Sequence, residues 1–148
     1  MNVERVNRIV DAVEDIERNV RRLRELQTVS LSEYTNDENQ DLRDAVERKF
    51  EKLTEAVLDI AGEILKEGGK RVPSRRKQRI TGLENEGVIE PTLAERLRDS
   101  VGFRDVLSHT YGSIVNDEIV YEAMQGSLDR YVEFLAAVDL YLSNVSEK

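Results

Sequence analysis

The chain has 148 residues, 39% of them hydrophobic, which is enough for one core of ordinary size and too little for a membrane protein. It has no cysteine and a single histidine, His109, so disulfides, thiolate nucleophiles, Cys-ligated zinc and His-cluster metal sites are excluded. The formal charge of −8 argues against a protein that coats nucleic acid non-specifically, because phosphate contacts need Lys and Arg.

The opening Met1-Asn2-Val3-Glu4-Arg5 has neither a basic nor an apolar leader, and no apolar run approaches the ~20 residues of a bilayer span. A cytoplasmic location is expected. The first element follows at once. Val6, Ile9, Val13, Ile16, Val20 and Leu23 alternate spacings of three and four, the seam of a helix in a bundle. The segment from Ser30 to Asn39 is polar and ends it, with Asn36 or Asp37 as candidate cap of the next helix. That second helix carries Val46, Phe50, Leu53, Val57, Ile60 and Ile64 and stops at Gly68-Gly69.

Charge then reverses locally. Between Lys66 and Arg79 seven basic side chains face Glu67 alone, a local +6 that leaves −14 to the rest. Lys70, Arg71, Arg75, Arg76, Lys77 and Arg79 are candidate RNA contacts; a solvated loop balancing an acidic protein is the alternative. A short helix is predicted near Arg76–Glu86. Pro91 opens another, running to about Tyr111 with Gly112 beyond it. A last helix, capped by Asn116 or Asp117, carries Met124, Leu128, Tyr131, Leu135, Val138, Leu142 and Val145. No segment has the period-two pattern of a strand. The expectation is all-α: an up-and-down bundle of four long helices and one short one, forming one domain over residues 1–148.

The helix that ends near Tyr111 carries the chemistry. At 100° per residue, Phe103, Val106, Leu107 and Thr110 fall on one side. Arg104, Asp105, Ser108, His109, Tyr111 and Gly112 fall on an arc of about 160° on the other. Asp105 and His109 are four apart, within side-chain reach. An imidazole can take the 2′-hydroxyl proton of RNA near neutral pH, and a guanidinium can clamp the phosphate. The ribose then attacks its own phosphate, and neither a metal nor an enzyme nucleophile is needed. Taken alone, such a string is also what a solvated helix face produces.

The order of features from about Asp41 to Val138 resembles the HepT-like HEPN ribonuclease toxins. It runs through Ala61-Gly62, the Gly-Gly loop, Leu83-x2-Glu86-Gly87-Val88-Ile89 and Leu93-Ala94-x2-Leu97 to Arg104-x4-His109-x-Tyr111. The resemblance implies metal-independent RNA cleavage with Arg104 and His109 as catalytic residues and no cofactor. It implies a minimal nucleotidyltransferase antitoxin that transfers AMP to Tyr111. It also implies a homodimer, in which one His and one Arg per chain become two of each across a shared cleft. The family pattern usually has Asn after the Arg and often an apolar residue before the His; here these are Asp105 and Ser108, given supporting roles. Asp105 keeps a second reading open, a non-cleaving HEPN module that docks a nucleotidyltransferase or a nucleotide. A helical scaffold without a site is the third.

Overall fold

The structure, a computed structural model, describes residues 1–109 and 117–146, without the side chains of residues 104–109 and 146. In chain order the elements are α1 (Val3–Leu26), α2 (Leu31–Tyr34), a 3₁₀ turn (Asp37–Asn39), α3 (Gln40–Glu67), α4 (Arg76–Asn85), α5 (Pro91–His109), α6 (Asp117–Gly126) and α7 (Asp129–Ser146). No strand occurs among the described residues, as the periodicity requires.

The predicted stripes supply much of the core, with one offset: Phe134, outside the predicted stripe, is fully buried, whereas Leu135, Leu142 and Val145 are only half-buried. Ile9, Ile16, Val20 and Leu23 of α1 are buried, and all six stripe residues of α3 are at most 3% exposed. Beyond its stripe, α3 also buries Ala56, Leu58, Ala61 and Leu65, because it packs against α1, α4, α5 and α6. It is the central helix. Antiparallel packing of α1 on α3 is fixed at one end by charge: Arg5 reaches Glu63 and Glu67, and Arg8 Nε lies 3.0 Å from Glu63.

Helix ends follow from local chemistry. The Asn2 side chain accepts from the Arg5 N–H at 2.7 Å. Gly69 and Gly87 have φ of 73° and 74°, and each closes its helix with a 6→1 bond, Lys70 N–H to Leu65 O and Val88 N–H to Leu83 O. Pro91 occupies the first turn of α5, where its missing N–H costs nothing.

Three sequence expectations need correction. The polar connector after α1 is not a plain loop: Ser30 and Glu33 form a capping box on α2, and Tyr34 is fully buried. Tyr34 packs 5.6 Å from the Tyr121 ring. Asn36 caps the 3₁₀ turn rather than the long helix, and α3 begins at Gln40 with no side-chain cap. Arg43 ties the connector down by donating to Tyr34 O, Asn36 O and Gln40 Oε1. The predicted last helix is two helices, α6 and α7, broken at Ser127 and Leu128. The stripe reads across the break because Met124, Leu128 and Tyr131 remain in the core on both sides. The expected stop at Gly112 and cap at Asn116 lie outside the described residues.

Candidate functional site

The helix that carries the motif is held from two sides up to the residue before it. Leu93, Ala94, Leu97 and Val101 are buried along α5. Arg98 donates to Glu84 at 2.8 Å and to Thr81 at 3.2 Å, which ties α5 to α4. On the other flank Arg130 of α7 donates to Arg96 O at 2.8 Å and to Ser100 Oγ at 3.0 Å. The ring of Phe103 then stands edge-on to Phe50 of α3, centroids 5.7 Å apart. Arg104, Asp105, Ser108 and His109 follow as the last turns of α5. The expected Asp105–His109 contact involves side chains outside the described set, and Tyr111 lies outside the described residues.

The basic segment is sorted by the fold. Lys70 is 3.5 Å from Glu86, and Arg79 is half-buried with its Nε donating to Pro73 O at 3.3 Å. Both therefore serve the loop itself. Arg71, Arg75, Arg76 and Lys77 are exposed. Lys77 is set against α5: its Nζ lies 3.2 Å from where a Cβ on Gly102 would stand. Gly102 thus gives the ammonium a seat two residues before Arg104, a role that spacing along the sequence does not reveal. Cations also crowd the start of α4, which has no acid in its first turn and no side-chain cap. Arg75, Arg76 and Lys77 thereby sit at the positive end of a helix dipole, an arrangement that favours an incoming anion.

Two carboxylates near the α1–α3 seam differ in environment. Burial pushes Asp59 up, only partly offset by the charge of Arg79. Burial works the same way on Glu63, but the hydrogen bond from Arg8 and the charges of Arg8, Lys66 and Arg5 leave its pKa below the usual value. Neither lies on the motif helix; both belong to the scaffold.

The family model described as "Ribonuclease HepT-like" matches residues 16–138. The chain belongs to the ribonuclease HepT-like family. The match takes in the C-terminal part of α1 as well as the stretch from Asp41 onward, so the family pattern includes part of the helix that packs on α3. Among relatives, the mRNA nuclease HepT of Shewanella oneidensis is 27% identical over 97 residues, 66% of this chain and 72% of that protein. The tRNA nuclease HepT of Aphanizomenon flos-aquae is 26% identical over 126 residues, 85% of this chain and 84% of that protein. A solved structure of the tri-AMPylated Shewanella oneidensis HEPN toxin in complex with its MNT antitoxin superposes with a TM-score of 0.74. It is 23% identical and covers 95% of this chain and 99% of that one. This HepT-like chain therefore has the HEPN fold, and the family it joins is one of ribonucleases. Among the described residues no helix is long and apolar enough to cross a membrane.

Proposed function

We propose that this HepT-like protein is the toxin of a toxin–antitoxin pair, an endoribonuclease that works as a homodimer and uses no metal. The observation that carries the reading is the convergence of two features at one end of α5. The Arg104–His109 segment ends the helix, and Lys77, at the cation-rich start of α4, lies across Gly102 beside it. In this reading His109 takes the proton of a ribose 2′-hydroxyl. The freed oxygen attacks the adjacent phosphorus, the bond to the 5′-oxygen breaks, and the departing oxygen takes a proton from water. Arg104 holds the non-bridging oxygens while charge builds on them. Asp105 orients the imidazole, Ser108 supports the same face, and Arg71, Arg75, Arg76 and Lys77 guide the phosphate chain.

The products are then a 2′,3′-cyclic phosphate and a 5′-hydroxyl. Incubating the protein with a defined RNA in the presence of EDTA tests this. Cleavage with those termini is expected, together with complete protection by a 2′-deoxy substitution at the cut site. Dependence on an added divalent ion defeats the mechanism.

Regulation follows from the same face. Tyr111 is seven residues from Arg104, nearly eclipsed on an ideal helix. AMP on its hydroxyl brings a phosphate beside the guanidinium and blocks RNA by charge and bulk. Tyr111→Phe is expected to keep nuclease activity and to escape silencing by a cognate nucleotidyltransferase with ATP; silencing as complete as for the parent defeats the assignment. Asp105, acidic where the family has Asn, favours a second reading, a non-cleaving module that docks the nucleotidyltransferase. No RNA cleavage alongside intact nucleotidyltransferase binding selects it.

A further inference from the structure

The break between α6 and α7 opens a cleft beside the motif. α7 packs on α5 and α1, whereas α6 packs on α1, α2 and α3. A cavity of about 310 Å³ is left between α5 and α6, with Ser127 of the break on its rim. That volume is at the small end of sites that take organic ligands. One wall is Phe103, the residue before Arg104, with Asp99 one turn earlier; the other is Ile119 and Glu122 of α6. Ile119 is 51% exposed, an apolar side chain that no part of the described fold covers.

Asp99 and Glu122 have no hydrogen-bond or ion-pair partner among the described residues, although Arg130 borders the same cleft with its guanidinium turned to Arg96 O and Ser100 Oγ. Two negatively charged hydrogen-bond acceptors between apolar walls do not suit a phosphate. They suit a flat ring with N–H groups on its edge.

We infer that the α5–α6 cleft seats one nucleobase of the RNA, with a base that bears an exocyclic amine preferred over uracil. The inference rests on the ribonuclease reading above. Phe103 and Ile119 sandwich the ring, and Asp99 and Glu122 accept from its amine edge. The phosphate chain then leaves the cleft toward Arg104, one helical turn beyond Ser100, and toward Lys77 across α5. Base choice and bond cleavage are thereby assigned to adjacent turns of one helix.

The test measures binding of labelled 2′-O-methyl oligo-A, oligo-C and oligo-U by fluorescence anisotropy. These oligomers lack the attacking hydroxyl and cannot be cut. The parent is expected to bind oligo-A and oligo-C roughly 5- to 100-fold more tightly than oligo-U, the range for one well-paired base edge. Asp99→Ala with Glu122→Ala is expected to collapse that ratio, whatever the removal of two negative charges does to absolute affinity. Both residues are exposed, so the fold is not at risk. Equal affinities in the parent, or an unchanged ratio in the double variant, overturn the inference. So does a ratio that collapses only because the variant has lost self-association in sedimentation, since a second copy of the chain then covers the cleft. Cleavage of natural RNA by a parent without base preference defeats the base site alone. Absence of cleavage defeats the nuclease reading, however the oligomers rank.

Discussion

α3 and α5 are both long helices with several packing neighbours, and they are held by a different balance of forces. α3 spans 28 residues and buries a wide, mostly aliphatic face, leaving a polar stripe through Asp44, Arg48, Lys52 and Asp59 exposed. α5 spans 19 residues, and polar ties supplement its few apolar anchors: Arg98 to Glu84 on one side, Arg130 to Ser100 on the other. Apolar burial is non-directional and fixes a helix against a core. Hydrogen bonds fix orientation, which a helix presenting a catalytic face requires. The comparison teaches that the scaffold and the site of one bundle can be separated by which forces hold each helix.

The separation has its largest expected effect in His109→Ala set against Ile60→Ala. Loss of the general base is expected to slow RNA cleavage by about 10²–10⁴-fold with little change in the unfolding midpoint. Ile60→Ala removes a fully buried side chain from α3 and is expected to cost about 2–5 kcal/mol in denaturant titration. If His109→Ala unfolds the protein as readily as Ile60→Ala does, the two helices are not separable in this way.

A smaller effect tests the bridge between the two regions. Lys77→Gln is expected to weaken binding of all RNA sequences alike and to reduce the salt slope of log affinity by about 0.7, one phosphate on a single strand. Gly102→Val should act similarly by displacing the ammonium from its seat. A normal salt slope in both variants removes Lys77 from the RNA path.

The smallest effects lie on the scaffold side and differ in sign. Glu63 has its folded pKa below the usual carboxylate value, so its stabilisation is present at neutral pH and fades as pH falls through the lowered value. Glu63→Gln should therefore be less stable than the parent at pH 7 and converge with it in acid. Asp59 is raised by burial, so its ionisation opposes folding as pH rises through the carboxylate range. Asp59→Asn should gain stability at pH 7 and lose that advantage in acid. Unfolding curves at a series of pH values distinguish the two, and parallel behaviour contradicts the assignment of their environments.

The sequence by itself determined the all-helical class, much of the core stripes of α1 and α3, the Gly68-Gly69 stop, the Pro91 start and the family motif. Each depends on spacing within one segment, and helical periodicity reports that directly. Tyr34 was hidden because a single buried tyrosine in a polar connector has no periodic neighbours to announce it; its environment comes from Arg43 and Tyr121. The break at Ser127 was hidden for a related reason: the apolar stripe stays in register across it, so the pattern reads as one helix. Only the tertiary structure decided which way α6 turns, that Lys77 lies against α5, and that Gly102 receives it. These depend on residues 25 or more positions apart meeting across helices, and in a single sequence nothing about either partner encodes the other's position.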